Sequence, residues 1–233
     1  MLKNKTKMTA AFLIRLGVAA ALGVAASAAR ADLLSNGSFE DNSCGPAEFC
    51  TVISGGAPLP DWTLAGSVNV VANSYWQAGQ GLWSIDLNGD APGTISQSFM
   101  PLATGPNLYS LTLMLSGNPQ GQPFDKELRV ELGNATFLQG NPSQIVLTFN
   151  TSSFPNRLQP ITDMMWAMKG SYLFTADSVD DVTVTFASFT PGASGPVLDN
   201  IVVTQVPEPV SLITLLAGLG MLGFMARRKT PRA

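Results

Sequence analysis

Alternation with a period of two residues sets what this chain can fold into. Trp83, Ile85 and Leu87 alternate with Ser84, Asp86 and Asn88, and Leu128, Val130 and Leu132 alternate with Glu127, Arg129 and Glu131. Leu111, Leu113 and Leu115 keep phase with Tyr109, and Val182, Val184 and Phe186 alternate with Thr183 and Thr185. Successive side chains of a strand point to opposite faces, so each run predicts one buried face and one wet face. Weaker strands are predicted at 62–64, 68–72, 94–99, 145–150, 171–176 and 197–204. Asn88-Gly89-Asp90, Gly117-Asn118-Pro119 and Gly140-Asn141-Pro142 supply turn chemistry between them. No segment between 32 and 205 sustains a helical period. About ten short antiparallel strands joined by turns predict an all-β fold, an antiparallel two-sheet β-sandwich.

The two ends follow other rules. Lys3, Lys5 and Lys7 precede an apolar run at 16–26, and Ala29-Arg30-Ala31 offers an A-x-A cleavage site. Residues 1–31 therefore read as a signal peptide, cut before Asp32. At the other end, Pro207, Glu208 and Pro209 open onto 210–226, seventeen residues without a charge, closed by Arg227, Arg228 and Lys229. Seventeen helical residues reach about 25 Å, enough for a thin hydrocarbon core. The prolines bar the helix from extending inward, and the cations stay on the cytoplasmic side. The expectation is a transmembrane helix at 210–226 in the inner membrane, with the C-terminus cytoplasmic and the domain at 32–205 exported.

This tail resembles the PEP-CTERM sorting signal of Gram-negative bacteria. The resemblance implies that 206–233 is recognised, cleaved and replaced by exosortase, a membrane transpeptidase-like enzyme. It also implies an address at the cell surface or in the extracellular, exopolysaccharide-rich matrix. A second resemblance covers most of 33–204. Asn36-Gly37-Ser38-Phe39-Glu40, Gly66-Ser67-Val68, Tyr75-Trp76, Ser84-Ile85-Asp86-Leu87-Asn88-Gly89, Ile95-Ser96-Gln97-Ser98-Phe99 and Gly117-Asn118-Pro119 resemble blocks of the choice-of-anchor C domain. More broadly, the opening strand at 33–40 resembles that of galactose-binding-like jelly rolls, which include many carbohydrate-binding modules. A secreted, non-catalytic β domain is implied. Jelly rolls of this kind often hold a structural calcium between a Glu of the first strand and an Asp of the last, and Glu40 and Asp199 match those positions. Backbone carbonyls would complete the six to eight oxygens that calcium takes. By phase, Asp199 shares a face with Val197, Ile201 and Val203, where an unpaired carboxylate is costly. The opposite phase would bury Leu198 and Val202 and leave Asp199 in water.

Composition narrows the function classes. Histidine is absent, which removes His-based triads, His zinc sites and the usual proton shuttle. Between 32 and 206 there are fifteen acids against four bases, Lys126, Arg129, Arg157 and Lys169. Such a surface repels nucleic acid and attracts cations. Cys44 and Cys50 are the only cysteines, and export predicts a disulfide closing the short loop between them. Glu127 and Glu131 fall on one strand face about 13 Å apart, too far for a glycosidase pair. Trp62, Trp83 and Trp166 read as core. The loop pair Tyr75 and Trp76 could stack on a sugar ring or plug one end of the sandwich. The function expected is a non-enzymatic envelope or matrix protein; the alternative is a polysaccharide-binding module.

Overall fold

A computed structural model describes residues 31–56, 59–101, 108–176, 180–206 and Gly218. The predicted helix at 210–226, save Gly218, the sorting residues Pro207, Glu208, Pro209, Arg227, Arg228 and Lys229, and the signal peptide up to residue 30 lie outside these residues. Among the described residues, no helix is long and apolar enough to cross a membrane.

Among the described residues, twelve strands form the domain. They are β1 (Phe49–Ile53), β2 (Thr63–Ala65), β3 (Ser67–Ala72), β4 (Trp83–Asp86), β5 (Thr94–Phe99) and β6 (Leu108–Gly117), then β7 (Asp125–Gly133), β8 (Ala135–Phe137), β9 (Gln144–Asn150), β10 (Ala167–Ala176), β11 (Val182–Ser188) and β12 (Pro196–Gln205). A seven-stranded sheet runs β1-β3-β4-β12-β6-β10-β8, and a five-stranded sheet runs β2-β5-β11-β7-β9. Every named pairing is antiparallel. The two sheets pack face to face as a jelly-roll sandwich, so the all-β expectation stands.

The inward residues of the two sheets make one core. Val68, Val70, Ile85, Leu111, Leu113, Leu115 and Leu198 meet Leu64, Ile95, Leu128, Val130, Val184 and Phe186. Trp62 joins this core as expected, with its ring 5.7 Å from Phe39. Trp83 is half-buried against it. The expected disulfide is present between Cys44 and Cys50, with Cα atoms 5.7 Å apart.

Three expectations need correction. The segment 33–40 is not a strand: Asn36 and Phe39 have φ of 51° and 60°, which breaks extended geometry. It still lies against the last strand through Leu33 N–H to Val203 O and Ile201 N–H to Gly37 O.

The wet face predicted for β4 is dry. Ser84, Asp86 and Asn88 are all 0% exposed. Residues far away in sequence cover that outer face, where Val71, Trp76, Phe154, Ile161, Met164 and Val197 form a second apolar cluster.

The phase assigned to β12 also fails along its length. Its register with β6 shifts between Asp199 and Val202, and Asn200 has φ of 46°. This bulge turns the strand over. Leu198, Ile201 and Val203 enter the main core, whereas Val197 joins the outer cluster. Asp199 is therefore out of phase with Ile201 and Val203, yet it is 0% exposed because the outer face is covered too.

Candidate functional site

Trp76 is a plug. It is 1% exposed, its indole N–H donates to Ser84 Oγ at 2.9 Å, and residues 151–166 pack over it. Backbone bonds fix that cover: Gln77 N–H donates to Ile161 O at 2.8 Å and Ile161 N–H to Tyr75 O at 3.1 Å. Trp166, expected in the core, sits half-buried at the margin of this cluster and donates its indole N–H to Gln77 O at 2.9 Å. A sugar cannot reach an enclosed ring, so of the two roles open to Trp76, stacking and plugging, its burial fits the plug. Tyr75 stands at the cluster's margin, 5.2 Å from the Phe49 ring, and its hydroxyl donates to Gln120 Oε1 at 3.0 Å. Burial pushes the Tyr75 phenol pKa above its ordinary value.

Glu40 and Asp199 do come together, on either side of residues 79–83. Glu40 Oε1 accepts Leu82 N–H at 2.8 Å and Trp83 N–H at 2.9 Å. Asp199 Oδ2 accepts Gln80 N–H at 2.8 Å, and Asp199 Oδ1 accepts Asn200 N–H at 2.6 Å. Gly79 and Gly81 let the loop pass this closely: a Cβ on Gly81 would stand 2.4 Å from Glu40 Oε1. Burial raises the Asp199 pKa to about 7, three backbone N–H groups pull against that rise, and the nearby Glu40 adds to it.

The donor set decides how well this pair fits calcium. Two carboxylates are present, and among the described residues no group of three or more His, Cys, Asp or Glu forms a metal cluster. Glu40 Oε1 and both Asp199 carboxylate oxygens already face N–H groups, which present positive dipoles. The pair holds the loop at 80–83 through these backbone bonds.

A second buried polar cluster escaped the sequence reading. Asp86 Oδ1 accepts Asn88 N–H at 2.9 Å and Gly195 N–H at 3.0 Å, and its Oδ2 accepts Asn118 Nδ2–H at 2.7 Å. Lys126, also 0% exposed, donates from Nζ to Gly121 O at 2.9 Å and Ser194 O at 2.8 Å. Asn88 Nδ2 donates to Thr190 O at 2.8 Å and Gly192 O at 2.6 Å. Burial raises the Asp86 pKa to about 7 despite its three donors and the Lys126 charge. Burial lowers the Lys126 pKa to about 8, against the pull of Asp86. One signal was available: Lys126 is in phase with Leu128, Val130 and Leu132, so it had to point inward. The cluster ties the β4–β5, β6–β7 and β11–β12 loops together at one end of the sandwich.

Glu127 and Glu131 line the outer face of β7 with Arg129 between them. Arg129 pairs with Glu131 at 3.6 Å and stacks 3.5 Å from the centre of the Phe189 ring.

The remaining candidate is concave. β9 is an edge strand, and β8 pairs with β10 at Phe174, Thr175 and Ala176, with one further bond from Leu138 N–H to Leu173 O at 2.9 Å, so the earlier part of β10 has a free edge. Between these edges opens a cleft of about 360 Å³, with Ile145, Leu147 and Tyr172 toward the core and Gln139, Asn141 and Gln144 at the rim. Among the described residues, no charged side chain lines it. Asn141 Oδ1 accepts Ser143 N–H at 3.0 Å. Among the described residues, the Gln139 and Gln144 amides and the Tyr172 hydroxyl make no hydrogen bond. Burial raises the Tyr172 pKa, so the phenol keeps its proton. Sequence reading missed this cleft because it depends on which strands end up at the sheet edges.

Comparison with known proteins gives two family matches. Residues 32–204 match the family described as "Protein of unknown function (DUF642)", and residues 205–229 match the PEP-CTERM protein-sorting motif. A stretch of 189 residues is 29% identical to halomucin of Haloquadratum walsbyi, covering 79% of this chain and 2% of halomucin. The chain therefore spans only a small fraction of that relative's length. TmCBM61 in complex with beta-1,4-galactotriose aligns at 12% identity over 76% of this chain and 99% of its own, with a TM-score of 0.43. A family 16 carbohydrate-binding module aligns at 18% identity over 75% and 100%, with a TM-score of 0.42. A family 35 module from Clostridium thermocellum aligns at 13% identity over 67% and 99%, with a TM-score of 0.40. No residue role is transferred from these likenesses.

Proposed function

We propose that this chain, which belongs to the DUF642 family and ends in a PEP-CTERM protein-sorting motif, is a non-enzymatic exported protein of the cell surface or extracellular matrix, sorted by exosortase. The observation that carries it is how the domain joins its tail. β12 runs to Gln205, Val206 N–H still bonds to Leu108 O at 2.8 Å, and the sorting motif begins at 205. A folded domain thus abuts the signal with no linker, and a membrane enzyme acting at Pro207-Glu208-Pro209 would release the domain whole. The helix at 210–226 would hold the precursor in the inner membrane, with Arg227, Arg228 and Lys229 cytoplasmic.

The test is intact mass and fractionation of wild type against a variant with alanine at Pro207, Glu208 and Pro209. The variant is expected to accumulate at full tail mass in the membrane. Unchanged mass and location would sink the sorting role.

The second reading is a polysaccharide-binding module, and the observation favouring it is the uncharged cleft between β9 and β10 with its unpartnered amides and phenol. Such hydrogen-bonding groups around an apolar floor suit a hydroxylated ligand.

Calcium at Glu40 and Asp199 is a separate proposal with its own test. An ion bound only by the folded state would stabilise by mass action, about 2.7 kcal/mol at a hundredfold excess over its dissociation constant. A chelator is expected to lower the melting temperature, and Asp199→Ala to lower it and remove the chelator response. Identical melting with and without chelator, in protein assayed free of metal, leaves the carboxylates as a clasp for residues 79–83 alone.

A further inference from the structure

The cleft between the free edges of β9 and β10 is specific enough to name the chemistry of its ligand. We infer that it is a binding site for a neutral sugar unit of a glycan chain, which rests on the polysaccharide-binding reading above and places its site. Trp76, the aromatic that a sequence reading offers for that purpose, is enclosed and cannot serve.

The floor comes first. Ile145 and Leu147 alternate along β9, and Tyr172 lies in phase with Phe174 and Ala176 along β10, so all three turn toward the space between the sheets. Because β9 is an edge strand and the pairing on β10 stops at Leu173, these side chains are only half-buried, and the sandwich opens sideways instead of closing. An apolar surface beside a phenol ring accepts the C–H face of a sugar ring, as amphipathic aromatics generally do.

The rim comes second. Gln139 and Gln144 each carry a carbonyl acceptor and an amino donor, and Tyr172 adds a hydroxyl that both donates and accepts. Among the described residues these groups have no protein partner. Adjacent hydroxyls of a sugar ring present donor and acceptor together, which is what an amide pairs with.

Charge comes third. Among the described residues no acid or base lines the cleft, and the domain around it carries fifteen acids against four bases. A uronate or phosphorylated glycan would lose its hydration without gaining a cation, and would enter a repulsive field. Size agrees, since about 360 Å³ lies at the lower end of small-molecule pockets, roughly 300–1,000 Å³. The cleft therefore suits the end of a chain or a short stretch of one.

Native affinity electrophoresis of the exported protein tests this, with gels containing β-glucan, xylan, galactan or the acidic polymer alginate. Wild type is expected to be retarded by at least one neutral polymer and not by alginate. Tyr172→Phe keeps the ring and the fold but removes the hydroxyl, and Gln144→Ala removes one amide. Each is expected to weaken retardation about fivefold, the effect of one lost hydrogen bond, with an unchanged melting temperature. Tyr75→Phe serves as the control and should bind as wild type does. Retardation by a neutral polymer that neither cleft variant weakens overturns the site while leaving the binding reading standing. No retardation by any polymer overturns that reading and the site with it, and retardation by alginate alone overturns the neutral class. Elution as a dimer that Val146→Lys dissolves assigns the β9 edge to a second copy and overturns the glycan site.

Discussion

Lys126→Met is expected to lower the unfolding free energy of the exported protein by about 3–5 kcal/mol, the usual effect of removing one member of a buried ionic cluster. Lys126 lies on β7 in the inward phase, 0% exposed, with its ammonium on Gly121 O and Ser194 O. Methionine has similar length and would fill the space, so little of the change comes from a cavity. Two carbonyls would lose their donor, and the Asp86 carboxylate would lose its nearby positive charge. The ammonium here does what a bound ion does elsewhere, drawing carbonyls and a carboxylate of separate loops toward one positive centre. A double-mutant cycle with Asp86→Asn isolates the pair, and the double variant is expected to lose less than the sum of the singles. Chemical denaturation of the four proteins is the measurement. A single-variant loss under about 1 kcal/mol would mean that the cluster is peripheral to stability.

What was legible in the sequence follows how local each feature is. β6, β7 and β11 are long strands whose alternation depends only on their own residues, and they stand where 109–115, 127–132 and 182–186 predict. The Cys44–Cys50 bridge closes over a short separation and was equally plain. β1 and β8 are five and three residues long, too short to show a period. β4 stands where 83–88 predicts, but alternation alone implies a wet polar side, and the structure keeps that side dry. Ser84 is dry because Trp76 and the 151–166 segment lie over it, and Asp86 and Asn88 because the β6–β7 and β11–β12 loops close on them. Most of the buried polar atoms find partners: Ser84 takes the indole N–H of Trp76, Asp86 takes three N–H groups, and Asn88 gives two, while Asn88 Oδ1 has none among the described residues. Of the site residues, Glu40 and Asp199 both bond the loop at 80–83, and the bulge at Asn200 sets the side on which Asp199 does so. Tyr172 had nothing local to mark it. Its importance comes from the edge that β8 leaves uncovered.

Gly37→Ala is expected to prevent stable folding or to remove at least about 3 kcal/mol, the upper part of the range for overpacked sites. The reason is space and not backbone freedom. Gly37 is not among the residues with positive φ, so alanine could adopt its conformation. A Cβ there, however, would stand 2.0 Å from the Ile201 carbonyl oxygen and 3.1 Å from its carbon. Neither side can yield cheaply. Gly37 O accepts Ile201 N–H at 2.9 Å, so the two backbones are already joined at this point. On one side, Asn36 is fixed by its own side chain, which donates to Asp41 O at 2.7 Å and accepts Asp41 N–H at 3.0 Å, while Trp62 donates its indole N–H to Asn36 O at 3.0 Å. On the other, Ile201 follows the β12 bulge and is buried in the main core. Moving the segment away would pull Phe39, 0% exposed, out of its packing against Trp62; moving β12 away would break its ladder with β6. Circular dichroism melting of Gly37→Ala beside Ser38→Ala separates this contact from general sensitivity of the segment, since Ser38 makes no hydrogen bond through its side chain among the described residues. A Gly37→Ala protein that melts like wild type would mean that 33–40 does not seat on β12 as described.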